Sequence, residues 1–338
     1  MAENTLGYKD YCLDKYKGFD LFKLVNRKLL IHKQLEKPPR TYVVYSDLHG
    51  SYEKFLHWLK NGLGYYKIVV DRVLGESYTK DITECYEQLL FVVNRTRFDA
   101  IDKFIESAEE VYDYKEDFFA PVARDFIAIA DRLGSYGLTR KRVLLDSLKL
   151  LTEVTRGDER RIIKLVPAEF LENMLKLFHQ NDQESFEGMV EGIVHNPTIF
   201  HIVLSLVVRL IVNSVFDKHI NLGDTFDRGE GADRLIKLYR SQFGGLGSDS
   251  PMHYIWGNHD ILWLGAGIGN PILVVEALRI SLRYNNIDFL YRYGFNLKNL
   301  EDFACETYSL TPTGKYLKPK DFCESKLAVA TKMVKALL

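Results

Sequence analysis

Three short runs gather residues able to do metal and phosphate chemistry: Asp47-Leu48-His49-Gly50, Gly223-Asp224-Thr225-Phe226-Asp227-Arg228-Gly229 and Gly257-Asn258-His259-Asp260. Carboxylate, imidazole and amide donors without a thiolate favour manganese, iron or zinc over magnesium alone. Two divalent ions about 4 Å apart need a carboxylate shared between them, further O and N ligands on each side, and open positions for water and substrate. Asp224 is the expected bridge. Asp47 and His49, at i and i+2, face one side as a strand ends and so can both hold the first metal. Asn258 offers a neutral carbonyl oxygen to the second. A run with five fixed residues, such as the one around Asp224, arises by chance in about one chain in ten thousand of this length. A tight turn holding an Arg–Asp pair accounts for it poorly once a third run of the same kind follows.

The elements that must position these runs are legible on either side of them. Pro38-Pro39 breaks a polar helical lead-in, and Thr41-Tyr42-Val43-Val44-Tyr45-Ser46 then reads as a short, buried central strand running into Asp47. Ser51 looks like a helix cap, with the helix closing at Asn61-Gly62. From about Glu76 to Ser214 apolar residues recur at helical spacing, as in Phe118, Val122, Phe126, Ile129 and Leu133. Lys218 to Leu222 reads as a second strand entering the Asp224 run, Ala232 to Arg240 as a helix, and His253 to Trp256 as a third strand entering the Asn258 run. A glycine-rich loop, Phe243 to Gly247, precedes that strand, and a closing segment from Asp321 to Leu338 reads as helix. All three runs therefore fall at the carboxyl ends of strands, where open α/β sheets gather ligands.

Composition limits the rest. The 338 residues carry 45 Lys+Arg against 46 Asp+Glu, so no global field steers the chain onto nucleic acid or anionic lipid. The four cysteines, Cys12, Cys85, Cys305 and Cys323, form no CxxC pair, which fits reduced thiols in a cytoplasmic protein. The acidic, aromatic N-terminus lacks the form of a signal peptide. Ile199 to Phe216 has the length of a membrane span, but His201, Arg209 and Asn213 within it indicate a buried core helix.

The three runs, in this order, resemble the first blocks of the calcineurin-like metallophosphoesterases. With YSDLHGSYEKFLHWLKNGLG, HINLGDTFDRGEGADRLI, YIWGNHDILWLGAGIGNP and a long helical insert, nearly the whole chain resembles the class 3 fructose-1,6-bisphosphatases of bacteria. The resemblance implies an α/β fold, the first half of an αββα sandwich. Its core would be 41–75 and 217–310, with a helical lead-in 1–40, a helical insertion 76–216 and a C-terminal helical tail 311–338. It implies two-metal, in-line hydrolysis of fructose 1,6-bisphosphate in gluconeogenesis, with manganese favoured. His259 would be the proton donor, Asp227 its orienting partner and Arg228 the phosphate holder. The family's pattern also needs histidines beyond the Asn258 run, and none of the nine histidines lies after His259. The chain is therefore expected to be the N-terminal portion of a longer protein, with a complementing C-terminal half or a second copy as its partner. The two other readings are an inactive remnant and a Ser/Thr protein phosphatase, the latter opposed by the length of the insert.

Overall fold

The computed structural model describes residues 41–107, 123–166, 168–179, 183–243, 252–310, 319–320 and 324–338. The expected lead-in helix, Cys12, Cys323, Phe118, Val122 and the glycine-rich stretch 244–247 lie outside the described residues. Thr41–Leu338 forms one unit, mostly helical, around a small parallel sheet.

Three strands, β1 (Tyr42–Tyr45), β2 (Lys218–Asn221) and β3 (Met252–Tyr254), lie in the order β1-β2-β3. Tyr42 pairs with Lys218 and Tyr45 with Asn221, while His219 pairs with Met252 and Asn221 with Tyr254. Parallel pairing in this register brings the ends of all three strands to one edge. β1 lies at the side of the described sheet rather than at its centre, and its burial alternates, with Tyr42 and Val44 exposed and Tyr45 buried. Side chains apolar on both faces suggested burial on both. Among the described residues, helices cover only one.

That covered face packs on the helices Tyr52–Lys60 and Ala232–Phe243 through Tyr45, Phe55, Leu56, Leu235, Leu238, Tyr239 and Met252. The 28-residue helix Lys80–Ser107 joins this core through Phe98, Ile101 and Ile105. Its earlier turns, from Ile82 to Val93, belong to a second and larger core made by the helices between β1 and β2. Pro197–Ser214, long and apolar enough to cross a membrane, is the central element of that second core. Ten of its residues, Phe200 to Ser214, are buried there. Asn196 caps it by accepting from the Thr198 and Ile199 amides, with Pro197 preset for the first turn. A third cluster, Leu282, Phe289, Leu290, Leu297, Ala304, Met333 and Val334, folds the final helix Glu324–Ala336 back onto Pro271–Arg283 and Lys298–Thr307. Cys85 and Cys305 are free thiols.

Candidate metal centre

Where β1 and β2 end, their loops continue the pairing. The amides of Asp47, His49 and Gly50 donate to the carbonyls of Gly223, Asp224 and Thr225 at 3.1, 2.8 and 2.7 Å, and Gly229 N donates back to His49 O at 2.6 Å. The approach leaves no room for side chains at the glycines of these loops, as two of them show. A Cβ on Gly50 (φ +73°) would lie 2.2 Å from Gly229 O, and one on Gly223 (φ +104°) 2.1 Å from Gly257 N. Four non-glycine residues of the site also take left-handed backbone: Asp47 (φ 55°), His49 (46°), Asp224 (54°) and Asp227 (100°). Asp and His tolerate this region better than most residues, yet it costs on the order of 1 kcal/mol each and persists only where surrounding bonds impose it.

The turn aims three donors at one point. Ligand atoms of Asp47, His49 and Asp224 all lie within 4.8 Å of one another, enough to hold a metal ion. His49 Nδ1 is 2.6 Å from Asp227 Oδ1 and 3.2 Å from Phe226 O, two acceptors that fix the ring and turn Nε2, 3.5 Å from Asp47 Oδ1, toward the cluster. A donor set of two carboxylates and an oriented imidazole fits a divalent ion. The Ser46 hydroxyl, 2.5 Å away, holds the Asp47 carboxyl below the usual range, with His49 and Arg228 adding to the effect.

Asp227 serves two rings. Its other oxygen, Oδ2, is 2.9 Å from His259 Nδ1, off the line of an ideal hydrogen bond, and the two imidazoles stand edge to face at 5.8 Å. The side chain is almost wholly buried; desolvation pushes its carboxyl up, against the pull of His49, His259 and Arg228. Arg228 remains half exposed, with Nε 4.0 Å from Asp227 Oδ2 and its guanidinium over the Tyr284 ring, where it can meet an incoming anion. Asn258 opens the helix Asn258–Gly267 and is exposed. Its neighbours reach Asp224: His259 N donates to Asp224 Oδ1 at 3.2 Å, and Gly257 lies against the same carboxylate.

Three supporting residues carry roles that the sequence did not assign them. Asp260, the third residue of its helix, accepts backbone N–H bonds from both the Asp224 loop and Gly257. Asn221, fully buried at the end of β2, accepts from Gly223 N and donates to Thr225 Oγ1 and Tyr239 OH. Asn286 donates to the carbonyl of Asp227 from 59 residues away. For Asp260 a signal existed, since an acid three residues into a helix is the second member of a capping box. For Asn286 none did.

The fold and site together define an α/β protein with a carboxylate–imidazole cluster able to hold a metal ion at the strand ends of a parallel sheet. The family model for Firmicute fructose-1,6-bisphosphatase matches residues 21–338, and the chain belongs to that family. It is 30% identical over 318 residues to the class 3 fructose-1,6-bisphosphatase of Clostridium botulinum (strain Hall), covering 90% of this chain and 41% of that protein. Against the class 3 enzyme of Clostridium novyi (strain NT) it is 27% identical over 315 residues, 90% of this chain and 42% of the relative. The chain thus spans about two fifths of the length of the curated relatives it matches. No solved structure matches it.

Proposed function

We propose that this chain carries the phosphate-cleaving centre of a class 3 fructose-1,6-bisphosphatase, hydrolysing fructose 1,6-bisphosphate to fructose 6-phosphate and phosphate in cytoplasmic gluconeogenesis. The observation that carries it is the position of Asp227, whose two oxygens face the Nδ1 atoms of His49 and His259 at 2.6 and 2.9 Å beside the Asp47, His49 and Asp224 cluster. One buried carboxylate thus orients both a ligand and a proton carrier, an arrangement that suits metal-assisted hydrolysis. Residues 41–75 and 217–310 are read as the first half of a calcineurin-like αββα core. Residues 76–216 are an insertion within it, 1–40 a lead-in and 311–338 a tail.

Asp47, His49 and Asp224 would hold one divalent ion, and Asp224 with Asn258 a second, manganese being favoured. When bound, the ions supply Lewis-acid polarisation of the phosphate and lower the pKa of water near it. The chain's own groups do the rest. Arg228 draws the phosphate by charge and holds its oxygens. Asp227 keeps the His259 proton on the side facing it and stabilises the imidazolium, so that the ring can give a proton to the leaving sugar oxygen.

The test is phosphate release from fructose 1,6-bisphosphate by the purified chain with added Mn²⁺. Turnover that disappears with EDTA and in Asp224→Asn is the expected result. A folded, Mn²⁺-loaded chain that releases no phosphate, or an Asp224→Asn variant as active as its parent, sinks the assignment.

A further inference from the structure

Asp224 has left-handed backbone and follows Gly223 at φ 104°. A carboxylate on such a turn is well placed only if something else fixes the turn. Asp260 does so. Its carboxylate is fully buried. Oδ2 accepts from Asp224 N at 2.7 Å and Gly257 N at 3.0 Å, and Oδ1 from Thr225 N at 2.9 Å and Phe226 N at 3.3 Å. Helix capping explains the bond to Gly257 alone, because that residue precedes the helix Asn258–Gly267. The other three amides belong to the loop after β2. Four N–H dipoles and the helix N-terminus, with its partial positive charge, face the buried carboxyl group. The Asp224 side chain closes the arrangement by accepting from His259 N at 3.2 Å.

We propose that Asp260 is a positioning residue of the metal centre. It clamps the loop after β2 to the loop after β3 and so fixes where the Asp224 carboxylate stands relative to Asp47 and His49. It acts through backbone amides and touches neither metal nor substrate. The inference rests on the metal-centre reading above.

Asp260→Asn tests it because the amide replaces one acceptor with a donor. Whichever way it turns, two of the four backbone N–H groups then face an NH₂ group instead of an oxygen. The experiment titrates Mn²⁺ alone into the 338-residue chain by calorimetry, comparing the parent with Asp260→Asn and with Asn94→Ala. Asn94 is a distant buried residue that donates to Leu59 O and Lys60 O, so its loss reports general destabilisation. Asp260→Asn is expected to keep the far-UV circular dichroism of the parent and to bind Mn²⁺ about 10- to 100-fold more weakly. Asn94→Ala should melt earlier and bind as the parent does.

If Asp260→Asn does not fold, Asp260→Glu carries the test. It keeps both oxygens and the charge but shifts them by one methylene, so weaker Mn²⁺ binding is again expected. Parental affinity in whichever Asp260 variant is folded overturns the proposal. Equal losses in the Asp260 and Asn94 variants do so too, since the effect would then be one of stability alone. A parent that binds no Mn²⁺ overturns the metal centre itself, and this inference with it.

Discussion

Asp227 places one carboxylate oxygen against each of two imidazoles, and only an acceptor at both positions can hold both rings in the same tautomer. An asparagine is the same shape and accepts on one side while donating on the other, so Asp227→Asn must turn or retautomerise either His49 or His259. If His49 yields, Mn²⁺ affinity falls about 10- to 100-fold. If His259 yields, the proton donation proposed for it fails and turnover is expected to fall about 10²- to 10⁴-fold. Calorimetric Mn²⁺ titration beside phosphate release separates the two, and parental values in both would remove Asp227 from the site. Asp47, His49, Asp224 and Asp227 could be picked from the sequence because their spacing is local, with each loop a few residues long directly after a strand. Asn286 could not, since its bond to the Asp227 carbonyl joins residues 59 apart and nothing in a one-dimensional pattern marks it.

Strands and helices show the same division. β1, β2 and β3 were legible from short apolar runs ending in polar residues, the helix Tyr52–Lys60 from its stop at Asn61-Gly62, and Pro197–Ser214 from its long apolar run; Ser51, expected to cap the first of these helices, precedes it without a side-chain capping bond. The placement of β1 at the side of the described sheet was not, because composition reports what a face could bury and not what covers it. On β2, His219 lies buried in the covered face between Tyr45 and Phe216. Burial, with help from Arg97, pulls its imidazole down from 6.5 to about 4. The unfolded chain therefore takes up a proton below pH 6.5 that the folded chain refuses until about pH 4. Stability from this group is complete above pH 6.5 and is lost as pH falls through that window, by roughly 3 kcal/mol. Urea melts at pH 7 and pH 4.5 should show His219→Leu losing less stability than the parent on acidification. An identical loss would mean that His219 is not the group responsible.

At the scale of the whole molecule, what joins the helices between β1 and β2 to the sheet decides whether they can unfold separately. The helix Lys80–Ser107 spans about 42 Å at 1.5 Å per residue. It buries Ile82 to Val93 in the helical core and Phe98, Ile101 and Ile105 in the core under the sheet. At the other end of the junction, Asp217 accepts from Thr41 N and pairs with Arg161 and Arg156, which tie the start of β1 and β2 to the helices around Thr155. A helix cannot melt in its first half and keep its second half packed at no cost, so the two cores should unfold together. The three tryptophans, Trp58, Trp256 and Trp263, all lie outside residues 76–216, so their fluorescence follows the sheet side, whereas far-UV circular dichroism follows mainly the helices between β1 and β2. Ile101 is fully buried, and Ile101→Ala should cost about 3 kcal/mol and lower the midpoint by about 5 °C. Both signals are expected to move together although the cavity is made on the sheet side only. A fluorescence midpoint that falls while the dichroism midpoint stays would show that the helices between β1 and β2 stand by themselves, and that the shared helix does not couple them to the sheet.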